Sequence, residues 1–134
     1  MTVNNISVSS NYNLMKKALD AAEKRGEAIA QNKANVNTEN YKKYVVSFED
    51  SLKDSQRTVI KGTSPKHIAP NRDDTGEIKV TQDTATSLRE DGNNVDIDLE
   101  KVNQAANSLM YNALITEANS RLSSTRYVIN GGGR

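Results

Sequence analysis

The chain has 134 residues with no cysteine, no tryptophan, one phenylalanine and 35% apolar residues, and its mean hydropathy is strongly negative. Such a composition excludes disulfides and thiolate metal sites and argues against a large compact core. A net charge of +1 with five scattered tyrosines lacks the clustered basic face and stacking aromatics of a nucleic-acid binder.

Residues 1–13 are rich in Asn and Ser, with isolated Val3, Ile6 and Val8. They show no period and are expected to stay unstructured until something binds them. They also lack the basic and apolar regions of a secretory signal, and nowhere do eighteen apolar residues run together. The expectation is a protein without membrane insertion, leaving the cytoplasm, if it does, by a route that needs no cleaved signal.

A first helix is predicted from Leu14 to Val36, within a helical region 14–60. Its apolar seam runs Met15, Ala18, Leu19, Ala22, Gly26, Ile29 and Val36, with Lys16, Asp20, Glu23, Lys24 and Glu27 mostly facing away. Gly26 either weakens this helix or lets another backbone approach. After a polar turn, Phe48, Leu52 and Val59 suggest a short amphipathic helix. Residues 61–94 carry Gly62, Pro65, Pro70, Gly76 and Gly92 and read as an irregular segment. Within it Ile78 and Val80 alternate with polar residues as a short β element would, although no pairing partner is evident.

The clearest pattern begins at Val95. Val95, Leu99, Val102, Ala106, Leu109 and Ala113 step by four, three, four, three, four, which keeps one helical face apolar through about five turns. Asp96 and Asp98 suit the positive end of its dipole. This C-terminal helix, 95–130, is followed by a flexible tail 131–134 that starts with three glycines. A narrow seam cannot bury itself, so it requires a partner helix within the chain or on another copy. Asn107 falls outside the seam and is expected to tolerate substitution. The fold class that follows is mainly α and elongated, with long N- and C-terminal helices pairing as a coiled coil around an irregular middle.

No residue cluster carries chemistry. His67 stands alone in a Pro-bounded loop, where a metal ligand would need companions. A calcium loop opening at Asp91 would require other residues at Val95, Asp96 and Val102. No nucleophile elbow, P-loop or dinucleotide fingerprint occurs. The expectation is a non-enzyme without cofactor or metal.

Asn32, Ala34, Asn35, Thr38, Tyr41 and Lys42 match the motif near the N-terminus of bacterial flagellar rod and hook proteins, Asn-Ile-Ala-Asn, two variable residues, Thr-Pro-Gly-Tyr and a basic residue. Lys33 departs from it, as do Glu39 and Asn40 in place of Pro-Gly; Asn can hold the left-handed conformation that Gly holds there. Asp91, Gly92, Asn93, Asn94, Val95, Asp96 and Ile97, then Asn107 to Leu114 and Ser120 to Val128, resemble the C-terminal block of proximal rod members of that family. Thr63 to Ile68 resemble a short family segment more loosely.

The resemblance implies a structural subunit of the flagellar basal-body rod, needed for assembly and motility and exported through the flagellar type III apparatus. It implies as partners other copies of the chain, other rod proteins, and the membrane-ring, export-gate and adaptor components. The interface residues expected are Leu19, Ala22, Ile29, Val36, Val95, Leu99, Val102, Ala106, Leu109 and Ala113. By itself the chain should be largely unfolded or weakly helical at its ends, because a thin seam does not offset roughly 1 to 2 kcal/mol of backbone entropy per residue. Two other classes fit a helical chain of this composition: a different secreted coiled-coil protein, such as an effector or needle component, and a cytoplasmic helical adaptor or chaperone.

Overall fold

The computed structural model describes residues 3–53, 76–84, 87 and 89–131, with side chains from residue 11 onward. His67, Val59 and the segment Thr63 to Ile68 lie outside the described residues, as does the tail beyond Gly131. Helix α1 spans Val3–Ala34, strand β1 Tyr44–Ser47, strand β2 Lys79–Gln82 and helix α2 Ile97–Ile129. Residues 49–53 add about one helical turn after β1.

The first helix begins at Val3 rather than Leu14, which corrects, from residue 3 on, the unstructured stretch expected over 1–13. No Gly or Pro interrupts residues 3–25, and extending an existing helix requires only one residue to be ordered per hydrogen bond gained, whereas nucleation is costly. Helix α2 starts where the acidic residues indicated. Asp96 is its N-cap, accepting from the amides of Asp98 (2.9 Å) and Leu99 (3.2 Å). Its 33 residues make a rod about 50 Å long at about 1.5 Å per residue, and Gly131 at φ +85° follows its C-cap.

The two helices pack antiparallel. Going up α2, Gln104 accepts from Lys33, Asn107 donates to the carbonyl of Ala22, and Leu114 packs against Ala18 and Ala21. Ala18, Ala21, Ala22 and Ala28 are all buried on α1, so the contact is built from small side chains that permit close approach. Phe48 completes the core from the segment after β1, with Leu14 and Ile78 at its edge.

Strands β1 and β2 pair antiparallel, Val46 opposite Val80 and Tyr44 opposite Gln82. The partner missing from the β2 alternation is thus the Tyr44–Ser47 run, which a short apolar stretch leaves ambiguous between helix and strand. The pair lies on α1 through β1, with Val46 buried beneath it. Lys17 reaches from α1 to the carbonyl of Gly76, and Ser51 accepts from the amide of Glu77.

Gly26 does not mediate a tight helix crossing. A Cβ built there meets only Asn107 Nδ2, at 3.6 Å, an ordinary contact. Gly26→Ala should therefore raise stability by about 1 kcal/mol through helix propensity alone, measured as a higher thermal midpoint of the helical circular-dichroism signal.

Candidate functional site: an asparagine clamp and an exposed helix stripe

The two sequence blocks that carried the resemblance lie more than fifty residues apart and meet in space. After α1 the chain turns through 35–40, and before α2 it turns through 89–96. Asn40 holds φ +58°, as expected for an Asn in the Gly position, and Gly92 holds φ +79° beside it. A Cβ on Gly92 would stand 2.4 Å from Asn40 Oδ1 and displace that side chain, and the positive φ itself favours glycine. The amide of Asn40 donates to the carbonyl of Asp91 (2.9 Å), and Lys42 Nζ to that of Gly92 (2.8 Å).

Three buried asparagines lock the junction. Asn93 is fully buried; its Nδ2 faces the carbonyls of Asn35 (3.0 Å), Val36 (3.1 Å) and Thr38 (2.9 Å), and its Oδ1 accepts from the amide of Val95 (2.8 Å). Asn32, 1% exposed, pairs with Tyr44 through both amide atoms: Nδ2 donates to the carbonyl (2.9 Å) and Oδ1 accepts from the amide (2.8 Å). Asn94 does the same between strands, accepting from the Lys43 amide and donating to the Asp83 carbonyl, both at 2.7 Å. Each side chain thereby acts as a rung of backbone ladder where the chain is too irregular to pair with itself, so groups that burial would otherwise orphan are satisfied.

The other motif residues support these three. Tyr41 donates its hydroxyl to Asn32 Oδ1 (3.3 Å) and sets its ring edge-on to Tyr44, with centroids 6.3 Å apart. Burial raises the Tyr41 phenol above its ordinary value, with Tyr44 adding to the shift. Thr38 donates to Asn35 Oδ1, and Asn35 Nδ2 returns to the carbonyl of Gln31, closing the last turn of α1. Ala34 is exposed at the end of that helix.

At the opposite side of β1, Arg25 binds both carboxylate oxygens of Glu49 at 2.9 Å. Burial opposes ionisation of Glu49, but the amides of Glu49 and Phe48 and the Arg25 guanidinium outweigh it, holding the carboxyl below its ordinary value. A lowered native value gives stability that is present above the unfolded value and lost as pH falls through the native one. Acidification below about pH 4.5 should therefore loosen residues 49–53 from α1. Glu49→Gln should remove that step from the amide chemical shifts of Arg25 and Leu52 followed by NMR against pH.

The expected packing residues divide. On α1, Ala22 and Ile29 are buried and Leu19 half-buried; Val36 lies in the turn past its end and is half-buried, and Val95 is 3% exposed beside the clamp. The α2 members face solvent: Leu99 is 48%, Val102 64% and Leu109 72% exposed, and Ala106 and Ala113 are exposed too. The α2 face turned to α1 is instead Glu100, Asn107, Met110 and Leu114, displaced round the helix by about 110° at about 100° per residue. This corrects Asn107, expected to tolerate change: it is half-buried and donates across the helix pair to Ala22. Periodicity found the more apolar stripe of α2, whereas the alanine-lined α1 face accepts a polar and mixed one. Asn93 and Asn94 stood in the sequence pattern only as part of a block; a buried Asn has no periodic signal.

Among the described residues no group of three His, Asp or Glu could hold a metal ion, and no described helix is long and apolar enough to cross a membrane. No family model matches the chain. Individual proteins do. The flagellar basal body rod protein FlgB of Bacillus subtilis is 33% identical over 119 residues, covering 88% of this chain and 92% of that protein. Its namesake in Proteus mirabilis is 30% identical over 133 residues, covering 93% and 97%, and that of Buchnera aphidicola from Acyrthosiphon pisum 26% identical over 125 residues, covering 90% and 94%.

Proposed function

The chain belongs to the FlgB family of flagellar basal body rod proteins, and from that premise we propose how its surfaces serve a structural subunit of the rod. The relatives give no support to an unrelated effector or a cytoplasmic adaptor. The observation that carries the reading is the stripe Leu99, Val102, Ala106, Leu109 and Ala113, which lies exposed along a 33-residue helix. A continuous apolar stripe in water is unfavourable and marks an association surface. In the rod it packs on helices of neighbouring copies or other rod proteins, with Leu122, Tyr127 and Val128 extending the exposed apolar surface. The role is mechanical rather than catalytic.

The asparagine clamp makes one end of the helix pair rigid, so that α1 and α2 enter the assembly at a set angle. The far end of α2 gains order from neighbours, since residues 119–131 are all exposed. The finer partners are the membrane-ring, export-gate and adaptor components at the base of the rod, reached after export without a cleaved signal peptide. Purified hook–basal bodies stripped of cytoplasm should contain the chain at full length, and its deletion should abolish swimming. In a strain with an inactive flagellar export gate it should stay in the cytoplasm; its absence from basal bodies in an export-competent, motile strain would sink the reading.

A further inference from the structure

Among the described residues nothing accounts for the burial of Glu100. It is 4% exposed, its Oε2 has no hydrogen-bond partner, and no ion pair reaches it among the described residues. Two turns along α2, Asn107 repeats the situation: Nδ2 donates to Ala22, leaving Oδ1 buried without a donor. Both residues line one cleft of about 380 Å³ between α1, β1 and α2. The cations on the same cleft are engaged elsewhere, Arg25 with Glu49 at 2.9 Å and Lys43 with Asp83 at 3.5 Å. An unpaired buried carboxylate is costly, so two buried acceptors on residues of one cleft favour a donor that enters it.

We infer that this cleft receives an arginine side chain of a neighbouring rod subunit, whose guanidinium is bound by Glu100 and Asn107; placing the donor on a rod subunit rests on the rod reading above. A guanidinium offers five N–H donors in a planar fork and can serve two acceptors at once, which one ammonium does less well. Ile29, Tyr44, Val46 and Met110 line the cavity, giving an aliphatic stem apolar surroundings. Ala106 belongs both to the cleft wall and to the exposed stripe. A helix docked on the stripe therefore carries its side chains past the cleft mouth.

The test is an NMR titration of the labelled full-length chain with N-acetyl-arginine amide, and with its lysine and citrulline counterparts. The arginine derivative should shift the Asn107 side-chain amide and the Glu100 backbone saturably, with at least tenfold weaker binding in Glu100→Gln. Citrulline, isosteric but neutral, should do nothing. No saturable response, an equal response in Glu100→Gln, or equal binding of the lysine or citrulline derivative overturns the inference, the first being the result expected if ordered water alone fills the cleft. In cells Glu100→Gln should be recovered in basal bodies at least tenfold less than wild type, with its thermal midpoint unchanged or raised. A midpoint lowered together with recovery assigns Glu100 a structural role and also overturns the inference. Failure of the rod reading shows separately, as absence of the wild-type chain from basal bodies.

Discussion

Leu109→Asp should leave the chain's own fold intact and abolish its recovery in the rod. Leu109 is 72% exposed in the folded chain, so a carboxylate there stays hydrated and the helical signal should match wild type. In the assembly the same position is to be covered by a neighbouring helix, where an unpaired carboxylate costs several kcal/mol or must take up a proton. The penalty recurs at every copy of the subunit. The matched control is Ser108→Asp, one residue away on an exposed face that bonds only to its own helix through Gln104. Swimming and recovery in basal bodies should fall to background for Leu109→Asp and stay near wild type for Ser108→Asp. Equal tolerance of both changes would remove the stripe from assembly.

The other large effect is expected at Asn93, where one change undoes the clamp. Asn93→Ala withdraws the donor facing three carbonyls and the acceptor of the buried Val95 amide. Thr38, Tyr41 and Arg89 also donate to those carbonyls, so the largest loss is the orphaned amide and the void around it. With about 1 to 3 kcal/mol for an unsatisfied buried group and about 1 kcal/mol for each net hydrogen bond lost, the cost is at least about 3 kcal/mol. For a chain whose core is small and rich in alanine that is a large share of the total. The helical circular-dichroism signal should drop markedly, and basal-body recovery with it. Asn93→Asp keeps the acceptor for Val95 but turns the three carbonyls toward a charge of the wrong sign, so it should be no better than Ala. A helical signal equal to wild type in both variants would show that the clamp does not hold the helix ends.

Both long helices were legible from residue spacing, because an amphipathic period and an acidic N-cap are local features. The left-handed turn at Asn40 was legible through the resemblance, because Asn stands where the family motif carries Gly and is among the few side chains that adopt positive φ. The β1–β2 pair was half visible: Ile78 and Val80 alternate, but Tyr44–Ser47 is too short for any period to declare itself. The start of α1 was misread, because Asn- and Ser-rich residues weaken a helix pattern without breaking an existing helix.

The sequence by itself determined that this chain has long helices toward both ends and an apolar stripe on the second that needs a partner helix, and that it resembles rod proteins at both ends. Those properties follow from neighbours three and four residues apart and from side-chain chemistry at fixed positions. Only the tertiary structure decided which face of α2 meets α1 and which stays exposed. The choice depends on the alanine surface of α1 and on the angle at which Asn32, Asn93 and Asn94 join the helix ends. Hydrogen bonds that join separate segments of the chain leave no period in the sequence, so a buried asparagine reads like a surface one until the chain is folded.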